Sequence, residues 1–253
     1  MTAAADRLPL TVVIATLNEG ARVGDAIRSV AWASEVIVAD GGSTDDTERV
    51  ARALGAVFVA CAGTTIGGQR NAAIERAAHD WILALDADER ADPVLRDQIA
   101  GVIAQRAFDV YRVRRRNTYL GRVMRHGEMA RDWHVCLFRR AHRYNGSRVH
   151  EHLVDLGRTG RLAGPIAHEP YRDLAHHAEK IVRYERWAAE DRFARGRRAS
   201  LAELVLRAPL RFFRAYVAYG GWLDGWRGAV AAMMSGYAAF LRAAFLRDLA
   251  ETR

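Results

Sequence analysis

The chain predicts an α/β fold: a mostly parallel sheet with helices on both faces, followed by a C-terminal helical extension. Three observations carry this. Short apolar runs recur through the first half and stop at polar or charged residues, as strands buried on both faces do. Stretches with helical spacing separate those runs, and strand–helix alternation implies parallel strands joined by crossovers. From about residue 173 onward the pattern reads as helical, with glycine breaks.

Thr11-Val12-Val13-Ile14-Ala15 is the first expected strand, ending in the polar turn Thr16-Leu17-Asn18-Glu19-Gly20. Val23, Ala26, Ile27 and Val30 share one helical face over residues 22–33. Residues 35–40 form the second strand. In the turn Gly41-Gly42-Ser43-Thr44-Asp45-Asp46 the glycines permit a tight bend and the acids favour a helix N-terminus. That helix ends near Gly55, and Val57-Phe58-Val59-Ala60 is the third strand. Gly67-Gly68-Gln69-Arg70-Asn71 opens a helix to about Ala78. Residues 81–85 are the fourth strand, and Asp92-Pro93 pairs an N-cap with proline at the first helical position.

The character changes near residue 108. Residues 109–117 alternate apolar and basic at their start, and residues 135–140 read as another strand. Segments 147–153 and 165–169 follow, and together these predict an antiparallel or mixed extension that completes the sheet. Residues 174–195 read as a helix, with a basic cluster of Arg192, Arg195, Arg197 and Arg198. In the next segment Phe212, Tyr216 and Tyr219 share a face, beside Arg207, Arg211 and Arg214. Gly220-Gly221 and Asp224-Gly225 interrupt it before Gly228–Leu241, a 14-residue run without charge. That run is too short to span a bilayer, and no conventional transmembrane helix is expected. Aromatic faces flanked by arginine fit peripheral contact with an anionic membrane; the rival is a core-packing helical cap.

At 253 residues, half of them hydrophobic, the chain is large enough for a substantial core. A net charge of +8 points to an anionic partner without choosing among nucleic acid, phosphorylated substrate and lipid. Cys61 and Cys136 stand far apart, outside any metal-ligand spacing, which fits a reducing compartment. Residues 1–9 show no secretory signal.

In parallel sheets, ligands sit outside the carboxyl ends of the strands. Asn18, Glu19, Asp40, Arg70, Asp86 and Asp88 all fall at or just beyond those ends. Strand side chains alternate, so Asp86 and Asp88 leave the same side of the backbone and form a hard anionic notch. Such a notch suits Mg²⁺ or Mn²⁺ shared with a substrate's phosphates. An isolated Asp-x-Asp is often a solvated turn; its place at the end of a buried run raises the functional reading. The chain has no glycine-rich phosphate loop, so a diphosphate would be held by a metal on the Asp pair, helped by Arg70. His168 stands at an expected strand end, as a further metal or phosphate contact or as a packed, hydrogen-bonded residue.

Val12-Val13-Ile14-Ala15-Thr16-Leu17-Asn18-Glu19 resembles the opening motif of the family 2 glycosyltransferases. Asp40-Gly41-Gly42-Ser43-Thr44-Asp45, Gln69-Arg70-Asn71-Ala72-Ala73-Ile74 and Asp86-Ala87-Asp88 are similar to their later motifs, in the same order. Val149-His150-Glu151 and residues 221–228 resemble the subgroup that includes the lipopolysaccharide-core β-1,4-glucosyltransferases.

The resemblance implies a GT-A fold, a nucleotide-sugar donor, a divalent metal (Mg²⁺ or Mn²⁺) and inversion at the anomeric carbon. It implies nucleoside contacts from Asp40, at the uridine or ribose, and from the backbone around Thr16 with Glu19, and a diphosphate contact from Asp86; Asn18 and Arg70 join the expected donor contacts from their places at the strand ends. It implies metal ligation by Asp88 and Asp86, and Glu151 as general base in preference to His150; His168 stays a further metal candidate from its strand-end place alone. In domain terms, 8–172 would be the GT-A domain (8–107 the nucleotide-sugar half, 108–172 the acceptor half) and 173–253 the helical extension. The expected reaction moves a hexose, glucose, from a UDP-sugar to a lipopolysaccharide-core or other lipid-linked acceptor. The expected place is the cytoplasm, peripheral on the inner face of the membrane. Arg183-Tyr184-Glu185-Arg186-Trp187 departs from the Gln-x-x-Arg-Trp motif of processive synthases. A polyprenyl-phosphate sugar transferase is the alternative enzyme. A basic nucleic-acid-binding module, drawing on the Arg-rich segments 112–116 and 192–198, leaves the acidic strand ends unexplained, and no nucleic-acid partner is expected.

Overall fold

A computed structural model describes residues 7–105, 107–148 and 151–252. Val149 and His150, named above as a motif residue and the alternative base, lie outside the described residues.

The strands are β1 (Leu8–Thr16), β2 (Ala33–Asp40), β3 (Val57–Ala60), β4 (Trp81–Asp86), β5 (Glu89–Ala91), β6 (Val110–Tyr119), β7 (Arg122–Val123), β8 (Trp133–Arg139) and β9 (Thr159–His168). The helices are α1 (Gly20–Ser29), α2 (Thr47–Ala53), α3 (Ile66–Arg76), α4 (Pro93–Gln105), α5 (Leu174–Ala194), α6 (Leu201–Phe213) and α7 (Gly225–Glu251). The sheet runs β3-β2-β1-β4-β8-β6-β9-β5, with β7 beside β6.

The sheet is mixed, with a clean division of labour. β1 pairs in parallel with β2 and β4, and β2 with β3. The later pairs β4–β8, β6–β8 and β5–β9 are antiparallel. The period of two in β1 and β4 explains the layered core. Val12, Ile14, Leu83 and Leu85 enter one buried cluster, while Val13, Ile82 and Ala84 enter the other. A strand apolar on both faces therefore serves two layers at once. Cys61 and Cys136 are free thiols, both buried.

The described residues form two compact units. The first takes those up to Arg115 with Trp133–His168; the second takes Arg116–Asp132 and those from Glu169 onward. In the second unit α7 packs its small residues inward. A Cβ on Gly236 would lie 3.0 Å from the carbonyl oxygen of Ala208 on α6, and one on Gly228 would collide with the Gly221 carbonyl. Arg242 on α7 forms a two-point ion pair with Glu185 on α5. The expected break before the uncharged run is a short 3-10 turn, Gly221–Asp224, after which α7 continues through Arg242 and Arg247 to Glu251. Together these make one helical stretch, Gly221–Glu251, long and apolar enough to cross a bilayer by length and composition. The expectation drawn from the 14-residue run missed this because it stopped at the first arginine.

Candidate functional site

Strand register puts the site together. Thr16 pairs with Asp40 across β1–β2, and Ala15 pairs with Asp86 across β1–β4. Three parallel strands therefore end level, and the polar residues that follow them share one edge.

Asp40 is buried there, and its carboxylate is saturated by local donors. Oδ1 accepts from the Thr16 hydroxyl at 3.0 Å and the Ser43 hydroxyl at 2.5 Å. Oδ2 accepts from the backbone N–H groups of Gly42 and Ser43 at 2.9 and 2.7 Å. Gly42 reaches this geometry at φ +103°, a conformation that favours glycine. Asp40 and Thr16 thus anchor the start of the loop after β2. Asn18, at φ +56°, accepts from the Thr44 N–H at 2.9 Å, while its own N–H donates to the Ser43 hydroxyl at 2.7 Å. The Glu19 N–H donates to the Thr47 hydroxyl at 3.0 Å, and Glu19 stands at the N-cap position of α1 without a side-chain capping bond. The two loops are zipped together by side chains that sequence alone would assign to the ligand.

The charged centre lies one strand over. Arg70, on α3, is 8% exposed and bridges two carboxylates. One guanidinium nitrogen donates to Glu151 Oε1 at 2.8 Å and the other to Asp86 Oδ1. The guanidinium also lies 5.0 Å from the ring centre of Tyr144. Asp86 Oδ2 accepts from Arg115 at 2.9 Å, and Arg115 also donates to Glu89. Burial alone would raise the Asp86 carboxyl; the guanidiniums of Arg70 and Arg115 outweigh it and hold the group well below the usual carboxylate range. Glu89, wholly buried, is instead pushed up by burial despite Arg115.

Asp86 and Asp88 consequently separate in role. Asp86 faces two arginines. Asp88, past the strand end, sits with Oδ1 3.6 Å from Nε2 of His168, whose backbone pairs with Glu89 across β5–β9. Among the described residues no group of three His, Cys, Asp or Glu side chains forms a metal cluster. Of the three ligands expected from the sequence, Asp88 and His168 lie together, while Asp86 turns to Arg70 and Arg115. That pair fits a divalent cation. Two ligands about 2.1 Å from one ion, at right angles or somewhat wider, lie roughly 3.0–3.6 Å apart, and the oxygen–nitrogen set suits Mn²⁺ as well as Mg²⁺.

Sequence reasoning missed Arg115, Glu89, Tyr144 and His134. The register of β6 against β8 shifts between Tyr111 and Arg112, so simple alternation misassigns the arginines beyond that point. Glu89 was hidden in a charge run that resembles a solvated turn. His134, on β8, has Nε2 3.8 Å from Glu89, and burial draws its imidazole down to about 3, leaving it neutral. Glu151 lies outside regular strand, held by Arg70.

Comparison with known proteins agrees with this architecture. Residues 11–157 match the family model described as Glycosyl transferase family 2. The chain is 30% identical to the lipopolysaccharide core biosynthesis glycosyltransferase LpsC of Rhizobium meliloti, across 94% of its own length and 92% of that protein's. It is 29% identical to the uncharacterized glycosyltransferase RP128 of Rickettsia prowazekii, across 95% and 87%. Its fold is similar to that of S. aureus TarS 1–349, solved in complex with UDP, with TM-score 0.52, 15% identity and coverage of 97% and 91%. With a family match over more than half of the chain, from β1 past Glu151, the chain belongs to glycosyl transferase family 2 and is a glycosyltransferase of the GT-A fold.

Proposed function

We propose that this glycosyltransferase moves a hexose, glucose, from a UDP-sugar onto a lipopolysaccharide-core or other lipid-linked glycan, with inversion and with Mg²⁺ or Mn²⁺. The observation that carries the reading is the strand-end centre, with Asp88 and His168 3.6 Å apart beside Arg70, itself held between Asp86 and Glu151. The acceptor class follows from the likeness to LpsC, whose name places it in lipopolysaccharide core biosynthesis. The donor follows from the motif resemblance.

In this reading Asp88 and His168 hold the cation, which when bound offsets charge on the leaving diphosphate. Arg70 and Arg115 hold Asp86, the other acid of the pair, beside that site. The zipped loops after β1 and β2 present Asn18, Glu19 and the backbone near Asp40 to the nucleoside. Glu151 takes the proton of the acceptor hydroxyl. For that step it must leave Arg70 or share it, so acceptor binding and the Arg70–Glu151 pair compete.

A screen of UDP-, GDP- and ADP-sugars for hydrolysis and thermal stabilisation, each with Mg²⁺ or Mn²⁺, tests the reading. Stabilisation by UDP that requires the metal supports it. Equal stabilisation without metal, or preference for a different nucleotide, overturns the donor assignment.

A further inference from the structure

The second unit carries a feature that the sugar chemistry does not use. Helix α6 buries none of its residues. Its outward stripe is Leu201, Val205, Leu206, Leu210 and Phe213, continued by Val217 on the π-helical turn Arg214–Ala218. Each of these six is between 47% and 65% exposed. The arginines beside this stripe are tied within the unit: Arg211 donates to Ser235 on α7 at 2.9 Å, and Arg214, on the π-helical turn, pairs with Glu128 at 2.9 Å. Ala208 and Phe212 face Gly236 of α7, so the inward side of α6 is already apolar and the outward stripe is a second apolar face, where a helix in water carries polar residues.

The helix begins beside a cleft rich in cations. Arg192, Arg197, Arg198, Arg207 and Arg242 line it, with Glu203 as the single lining acid. Glu203 is taken by Arg207 at 2.5 Å, and Arg242 by Glu185. Burial, followed by the like charges of Arg242 and Arg207, lowers the Arg192 guanidinium below its usual value. Two carboxylates for five guanidiniums leave an excess of positive charge. Arginine is the side chain suited to the planar, multidentate binding of phosphate.

We propose that α6 lies in the plane of an anionic phospholipid bilayer, its apolar stripe in the acyl boundary and a lipid phosphate in the arginine cleft at its N-terminal end. A second copy of the chain fits less well, because a two-fold contact through this stripe would bring like-charged clusters toward one another. An in-plane helix is distinguished from a spanning one by its strong polar face. That criterion favours α6 over α7, whose buried residues Gly228, Ala232 and Gly236 are spent on packing within its own unit. The inference goes beyond the donor and acceptor assignment and stands without it.

The test uses the full chain in vesicle co-sedimentation at low salt. One set of vesicles is phosphatidylcholine alone, and the other contains about 30% phosphatidylglycerol, an anionic fraction large enough to attract basic clusters. Leu210→Glu and the double change R197E/R198E fall on exposed positions, and both are compared with wild type for UDP and Mn²⁺ binding and for melting temperature. The expected result is binding to the anionic vesicles only, reduced roughly 10-fold or more by either variant, with melting temperature and donor response unchanged. Absence of wild-type vesicle binding overturns the proposal, as does binding that survives both variants. Inorganic phosphate that stabilises the protein when vesicles do not bind would make the cleft a free-anion site and overturn the membrane assignment. A dimer in sedimentation equilibrium that Leu210→Glu dissolves, without vesicle binding, would assign the stripe to self-association. Loss of the donor response in wild type alone would count against the sugar chemistry and leave this inference standing.

Discussion

The strand-end centre and helix α6 break the same rule in opposite directions. In the first unit Arg70 and Glu89 are charged groups taken out of water, and Asp86 and Arg115 are partly so. In the second, six large apolar side chains are left in it. Each is costly unless something compensates. The charges are compensated internally, by partners within hydrogen-bonding reach. The apolar stripe has no such partner on its outward side among the described residues, and the proposed bilayer would supply one. Buried charge thus marks a site the protein has already organised, whereas exposed apolar surface marks one completed on contact.

That contrast yields a graded set of expectations. Asp88→Asn should have the largest effect: metal-dependent binding of UDP should be lost in titration calorimetry, with the melting temperature nearly unchanged, because Asn keeps the shape of this largely buried side chain and removes only its charge. Unaltered Mn²⁺-dependent binding would sink the metal assignment. Glu151→Gln should lower transfer by about 10²–10⁴-fold while donor binding persists. If Glu151 serves only as counter-ion to Arg70, the variant will weaken donor binding and stability instead and leave turnover per bound donor intact.

Arg115→Met leaves Asp86 with one guanidinium and Glu89 with none of its present strong partner. Breaking a buried pair by removing one member costs about 3–5 kcal/mol, which for a domain of this size is on the order of 10 °C in Tm. A shift under about 2 °C would mean that the network is far better solvated than its burial indicates. Smaller still is the pH response of the second unit. His177 stacks on Tyr171 with ring centres 3.6 Å apart, its Nδ1 lies 2.9 Å from the Tyr119 hydroxyl, and burial lowers its imidazole to about 4. Between that value and the ordinary value of about 6.5 the unfolded chain binds a proton that the folded chain refuses. The stabilisation is complete above the upper value and is lost as pH falls toward the lower one. His177→Gln should flatten that part of the stability–pH curve, measured by denaturant unfolding; an unchanged slope would exclude His177 as its source. At the bottom of the scale, Leu206→Ser should move stability by less than about 0.5 kcal/mol, as surface changes do, although it removes a leucine.

Much of the first half was legible because its signals are local. Apolar runs of period two, glycine turns and an N-cap with proline mark β1 to α4, and motif order identifies the family. The details of the site were not, because they depend on partners distant in sequence. Arg70 and Glu151 are separated by 81 positions, and Arg115 and Asp86 by 29. Nothing in Asp86-Ala87-Asp88 foretells that one acid will face two arginines and the other a histidine. Glu89–Ala91 was missed as a strand because three residues carry too little periodicity, yet its pairing with β9 delivers His168 to Asp88. In the second unit the sequence shows α6 to be amphipathic, but periodicity does not say which face turns inward.

The two buried cysteines have a practical consequence for chemical labelling. Burial pushes both thiols up, Cys136 far more than Cys61, and leaves little reactive thiolate at neutral pH. Native protein should therefore be nearly silent toward maleimides. A cysteine introduced at Leu210 would be the readily alkylated position, taking up about one nitroxide or fluorophore per chain without first deleting either native sulfur. The same quiet thiols also provide a clock for opening of the sheet: alkylation of Cys136, at the centre of β8, should proceed only as fast as the core itself comes apart.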